Sequence, residues 1–452
     1  MASTYLTRTT GTPTLGTKCT VSAWVKISEV PSGSGSDRWI FGEYGNNSNH
    51  SYLYLRNSSE IGWYEADGSG IEASIITNRL CRDLNSWYHF MIVYDTTLST
   101  QADRFKMYIN GERQTSFSTN TNSLAQNYLP RINKASRTYY IGGTPSYQDK
   151  FDGIISHYHH VDGSALDPTV FGSTDSTTGE WKINTSPSFT LGNNGFTILK
   201  DGNTITDQSS NSNDFSLGGG TLTKTEDCPS NVFATLNPLN ASLNTGRSFA
   251  NGNNYVVLGG TARVPEVSTL GMTSGKFYAE MKDISGSGGK SIMGITSKMY
   301  RGNAVDWLGS QSEDYSYYSD LGRKTNSANE IVYGDSWTDG DIIGVAVDLD
   351  NLKIYFSKNG VWQNSGDPTS GATGTGSAFT ITAPSSTTDG AYFFACSDDN
   401  PYAERRMAWN FGNGYFQTVA VSSAGTNASG NGIFEYDVPT GFTALSTKGL
   451  NL

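Results

Sequence analysis

Apolar residues in this chain recur at every second position far more often than at every third or fourth. In residues 19–28, Cys19, Val21, Ala23, Val25 and Ile27 fall on one face. Period two marks a strand, because successive side chains of extended backbone point to opposite sides. Phe105, Met107 and Ile109 alternate in the same way, and shorter strands are expected at 39–41, 52–55, 137–141 and 153–159. Residues 85–94 are apolar on both faces, as in a strand covered from two sides. Asn110-Gly111 is a hairpin-turn pair, and residues 31–36 are a Gly/Ser loop. A second block of alternation begins near Asn254, with strands expected at 275–284, 341–348, 352–356, 392–396 and 407–411. Lys358-Asn359-Gly360 marks a turn there. Helix signals are nearly missing, and no short repeat points to a solenoid or propeller.

Between the blocks, residues 185–253 are rich in Asn, Ser, Gly and Thr, with Gly218-Gly-Gly220 and turns at Cys228-Pro229 and Asn237-Pro238. Phe196, Ile198, Phe215, Val232, Phe233 and Leu236 need burial, so an ordered connector is expected rather than a free linker. The expected fold is all-β: two tandem jelly-roll β-sandwiches at 1–184 and 254–452, joined by the connector 185–253.

Composition agrees. The 452 residues suffice for two domains, 12% are aromatic, and the 51 glycines supply turns. A formal net charge of -11 argues against nucleic acid or an anionic membrane as partner. No apolar run is long enough for a membrane span, and the first eight residues show no signal peptide, so a soluble protein is expected. Cys19, Cys81, Cys228 and Cys396 match no zinc or redox spacing. They read as reduced, mostly buried thiols, with Cys19–Cys81 the one pairing left open.

Particular segments carry family resemblances. The run Phe151 to Gly172, the strand Trp87-Tyr-His-Phe-Met-Ile-Val-Tyr94 and Tyr108-Ile-Asn-Gly-Glu112 resemble a laminin-G/concanavalin A-like domain over residues 19–172. Gly275-Lys-Phe-Tyr-Ala-Glu280, Met293-Gly-Ile-Thr296, Gly340 to Asp348, Ile354 to Gly360 and Asn410-Phe-Gly412 resemble a SPRY domain over residues 275–416. Both families are jelly rolls. The segments Val161 to Pro168, Asn194-Gly-Phe196, Asp207 to Asp214, Asn231 to Leu239 and Tyr436 to Phe442 resemble proteins of bacteriophages, especially marine and cyanobacterial ones. That resemblance implies a virion-associated protein of the head or tail.

Candidate chemistry is sparse. Glucanases of this fold need a pair of carboxylates, usually within Glu-x-Asp-x-x-Glu. Glu65-Ala-Asp67 and Glu435-Tyr-Asp437 each lack the third acid, so they read as loop acids and no catalytic residue is expected. His157 and His159, two apart on an expected strand, are the candidate metal ligands, most naturally on a three-fold axis shared by copies of the chain. Calcium is the other cofactor considered, since many laminin-G-like domains carry it on rim loops. Asp348-Leu-Asp350-Asn351 opens like an acidic loop but has Leu352 at the fifth position and no closing Glu. Asp149, Asp152 and Asp162 are further loop acids. Sugar binding would rest on aromatic rings beside polar groups. The candidates are Trp63 and Tyr64, and a second cluster of Asp306, Trp307, Tyr315, Tyr317 and Tyr318 on a loop. The expectation is therefore a non-enzymatic structural and adhesive protein on a virus particle, made in the host cytoplasm. Its partners would be other virion proteins, copies of itself (a homo-oligomer, with a trimer usual for appendages) and host surface glycans. The absence of a coiled coil leans toward a head decoration or short appendage. A receptor-binding tail fibre, an envelope polysaccharide depolymerase and a SPRY-type peptide adaptor are the alternatives.

Overall fold

The computed structural model describes residues 4–31, 37–84, 86–145, 150–200, 204–223, 225–240, 246–260, 262–299, 301–302, 305–400 and 402–451. The chain is nearly all-β, with 43% of residues in strands, and divides into two compact units, Met1–Lys224 and Thr225–Leu452. Among the described residues no helix is long and apolar enough to cross a membrane.

The first unit packs an eight-stranded sheet against a six-stranded one. The larger sheet runs, edge to edge, Phe117–Asn122, Ile71–Leu80, Glu60–Asp67, Asn49–Leu55, Arg38–Asn46, Thr138–Ile141, Tyr5–Thr9 and Ser216–Gly219. The smaller runs Phe196–Ile198, Gly153–Asp162, Lys18–Ile27, Trp87–Asp95, Phe105–Ile109 and Glu112–Arg113. Leu53, Trp63 and Ile75 of one sheet meet Val21, Val25, Phe90 and Ile92 of the other in a single core. Each such aliphatic side chain contributes about 1.5–3 kcal/mol on burial. The opposite face of the smaller sheet is also covered: Met91, Val93 and Val161 pack with Phe171 and Phe189. This is why residues 85–94 read as apolar on both faces. Asn110 and Gly111, at φ 50° and 75°, form the two-residue hairpin their sequence calls for, and Asn359 and Gly360, at 48° and 80°, form another.

The second unit is a similar sandwich. One sheet runs Ser248–Ala250, Tyr255–Leu258, Arg405–Asn410, Lys276–Gly286, Ile342–Asp348, Lys353–Lys358 and Val361–Trp362, with Phe379–Thr380 and Thr443–Ala444 added on. The other runs Glu266–Val267, Phe393–Asp398, Ser291–Thr296, Asp314–Tyr318, Arg323–Asn326 and Asn329–Val332. Met281, Val345, Phe356, Phe394 and Trp409 fill the core between them.

The segment expected as a connector is divided instead. Phe196–Ile198 pairs with residues 158–160 and Ser216–Gly219 with Tyr5–Thr7, completing sheets of the first unit. Phe233 bridges to Ser446 and Leu236 to Ser268, inside the second unit. The six apolar residues that demanded order are buried, apart from half-buried Val232. Cys19, Cys81 and Cys396 are buried free thiols, so the Cys19–Cys81 pairing does not occur. Much of the 31–36 loop and Asp149 lie outside the described residues.

Candidate functional site

Trp63 and Tyr64 are neighbours on opposite faces of one strand. Trp63 is fully buried in the core, where its Nε1–H donates to Tyr94 Oη at 2.7 Å. It cannot stack on a ligand. Tyr64 points outward and is half-buried. The loop expected to present Tyr315, Tyr317 and Tyr318 is the strand Asp314–Tyr318, buried throughout. Tyr-Ser-Tyr alternation suits a pleated strand as well as a loop. Tyr315 and Tyr317 join the core, their hydroxyls bonded to Thr382 and to the Asp335 carbonyl. Tyr318 lies on the other face, with its hydroxyl on Asp399, and half-buried Trp307 tilts against it at 6.1 Å. Asp306 is half-buried beside Trp307. The structure therefore brings Trp307 and Tyr318 together and sends the other two tyrosines inward.

His157 and His159 are 5% and 4% exposed, which leaves them no exposed axis on which to meet other chains. A bulge between Ser156 and His159 puts His157 at φ 46°, so simple alternation fails there. His157 Nδ1 lies 2.7 Å from Ser156 Oγ, and His159 Nδ1 lies 2.9 Å from Thr197 Oγ1. Burial lowers the His159 pKa to about 3. Among the described residues no group of three His, Cys, Asp or Glu side chains is placed to hold a metal. Three of the calcium candidates are engaged within the protein: Asp348 accepts from Asn351 and pairs with Lys276, Asp350 accepts from the Gly275 amide, and Asp162 accepts from Thr14 and Asn133.

The carboxylates considered for hydrolysis are likewise committed. Glu65 is buried and accepts from the Tyr94 and Tyr128 hydroxyls and from the Arg131 amide. Burial raises its pKa against those hydrogen bonds. Glu435 anchors Ser422, and Asp437 anchors Thr426.

Among the described residues, a row of half-buried tyrosines lies on the outer face of the eight-stranded sheet. Strand register sets Thr7, Tyr140, Gly42, Tyr52, Tyr64 and Ser74 opposite one another in a row across six strands. Tyr52 stacks on Trp39 at 4.2 Å, and His50 stacks on Tyr64 at 5.1 Å. Burial lowers the His50 pKa, keeping that ring neutral at pH 7. Gly42 interrupts the row between Tyr140 and Tyr52. A Cβ there would lie 2.1 Å from the Ser51 carbonyl, so the close strand approach requires glycine. Beside this gap is an open depression of about 270 Å³ walled by Tyr44, Gly45, Ser136, Arg137, Thr138 and Tyr140. On its floor Glu43 receives Arg131 through Nε at 2.7 Å and Nη2 at 3.0 Å, both side chains 1% exposed. Tyrosine faces beside hydrogen-bonding groups can stack on the apolar face of a sugar and bind its hydroxyls. Sequence reading identified Tyr64 alone of this set. The signal for the rest was the Tyr52-Leu-Tyr-Leu55 and Arg137-Thr-Tyr-Tyr140 alternation, which places large aromatics on the face away from the aliphatic core.

Comparison with known proteins agrees with this architecture. The concanavalin A-like lectin/glucanases superfamily (Laminin_G_3) matches residues 2–170, and the SPRY domain matches residues 276–390. The chain thus carries a concanavalin A-like domain followed by a SPRY domain. A Ran-binding proteins 9/10 homolog of Drosophila melanogaster is 36% identical over 89 residues, 19% of this chain and 9% of that protein. The dual specificity protein kinase splA of Dictyostelium discoideum is 31% identical over 100 residues, 21% of this chain and 4% of that protein. The chain therefore spans under a tenth of either relative. The SPRY domain of human HERC1 is 17% identical, with 38% of this chain and 96% of that one covered at a TM-score of 0.30.

Proposed function

We propose that this chain is a non-enzymatic adhesive protein that binds glycans through the outer aromatic row of its first unit. The observation that carries the reading is the row itself: Tyr140, Tyr52 and Tyr64 held in register on a rigid sheet, with an open depression alongside. A ligand laid across preformed rings orders few side chains, which keeps the entropic cost low. The phage-like segments supply the setting: a virion surface protein, as head decoration or tail appendage, touching other virion proteins and copies of itself. Many copies on one particle convert weak sugar contacts into firm attachment.

The test is a glycan microarray with the full chain and with Tyr52→Ala. Binding to a defined set of glycans, lost at least tenfold in Tyr52→Ala without a change in melting temperature, supports the reading. Binding to no glycan, or binding indifferent to Tyr52, overturns it. Cryo-electron microscopy of the particle that encodes the chain tests the setting, which fails if no density for it is present.

A further inference from the structure

We infer that the depression beside Tyr140 selects acidic saccharides, receiving a carboxylate or sulfate group of the sugar at Arg137. The inference rests on the glycan reading and adds its ligand class.

The argument is one of charge balance in a confined place. Among the described residues Glu43 is the one acidic side chain lining the depression, and its two oxygens are taken by Arg131. That pair is close to neutral. The pair is buried beneath Gly45: a Cβ there would come within 3.3 Å of Arg131 Nη2 and 3.5 Å of Glu43 Oε1. Two more cations stand near enough to act on Glu43, Arg137 and Lys134. Arg137 lines the wall, and its Nε is buried without a hydrogen-bond partner. Among the described residues neither Arg137 nor Lys134 forms an ion pair. The described lining is therefore cationic, on a chain of net charge -11. Arg137 is thus a cation on the wall with no carboxylate partner among the described residues, and an anionic oxygen is the acceptor a guanidinium prefers. Tyr44 and Tyr140 flank the same space, so the ring bearing the anion can rest on an aromatic face. An inorganic anion would use Arg137 and leave the rings unused; an acidic sugar uses both.

The experiment is calorimetric titration of the full chain with a matched pair of probes: an oligogalacturonate and the same oligosaccharide after reduction of its carboxyl groups. The acidic probe should bind about tenfold more tightly, and raising the salt concentration should narrow the gap. Arg137→Gln should remove that preference, bringing the affinities for the two probes together. Arg137→Lys, which keeps the charge, should retain most of it. Equal affinities for the two probes, or a preference indifferent to Arg137→Gln, overturns the inference and leaves the glycan reading standing. Binding of sodium sulfate alone as tightly as the oligogalacturonate overturns it in favour of a simple anion site. If neither saccharide binds at millimolar concentration, the inference fails, and the glycan microarray decides whether the glycan reading fails with it. Unchanged melting temperatures for the variants show that folding is not the cause.

Discussion

One peptide bond separates Trp63 from Tyr64, and it separates two kinds of consequence. Trp63→Ala should destabilise the first unit by about 3–5 kcal/mol, since a fully buried indole leaves a cavity. It would also strip the Tyr94 hydroxyl of a donor. Tyr64→Ala should change the melting temperature little and weaken glycan binding. Thermal melts and binding measurements on both variants would show the two effects uncrossed. Either residue was visible in the sequence as an aromatic beside acids, but composition could not say which face was buried. That distinction comes from pairing: Trp63 lies opposite Leu53, and Tyr64 opposite Tyr52. Glu65, two positions on from Trp63, follows the same parity into the interior, so it is a buried strand acid and not the loop acid expected.

At the scale of the element, alternation located most of the long strands but missed Glu60–Asp67 and Ile71–Leu80, and the Asn-Gly pairs located their hairpins. It did not reveal what completes a sheet. Phe196–Ile198 and Ser216–Gly219 are three and four residues long, too short for periodicity to show, and they lie in an Asn/Ser-rich stretch. Their place is fixed by distant partners. Phe196 stacks on Tyr158 at 5.8 Å and on His160 at 5.4 Å. A fragment of residues 1–224 should therefore melt cooperatively. A fragment ending at residue 184 should lose at least 10 °C in melting temperature, because it leaves Tyr158, Tyr139 and His160 without Phe196 and Phe215. Differential scanning calorimetry on the two fragments checks this; equal stability would mean the boundary near 184 was the correct one. The Asp314–Tyr318 strand misled in the opposite direction. Its exposed-looking Tyr and Ser content concealed a buried strand whose hydroxyls all find partners.

Across the whole molecule, buried groups of both signs make stability depend on pH. In the second unit burial raises Glu266, Glu280 and Asp398 to about 7. The folded form holds protons there that the unfolded chain releases at lower pH. This contribution is fully present below about pH 4 and is lost as the pH rises through about 7. Glu280→Gln removes one such proton. The stability difference between native protein and variant should therefore shift by about 3 kcal/mol toward the variant between pH 4.5 and 8. In the first unit burial lowers His160 to about 4. There the unfolded chain takes up a proton first, below about pH 6.5, and the native protein loses ground as the pH falls to 4. His160→Phe, which keeps the stack on Phe196, should flatten that loss by about 3 kcal/mol. Calorimetry of the full chain resolves the two transitions, and a shift of either variant in the wrong direction would refute its assignment.

The first unit also closes on itself. Tyr5 lies opposite Gly219, and Thr4 Oγ1 donates to the Thr221 carbonyl at 2.7 Å while accepting from the Thr221 amide at 3.1 Å. The two ends of the unit are thus the two free tips of one antiparallel ladder. Tension applied through the chain at those tips loads its hydrogen bonds singly, from Thr4 inward, rather than all together. Under load the unit would open like a zipper. It would yield its outermost strand at low force as a shock-absorbing length of slack, while the sheet face that carries the tyrosine row stayed whole.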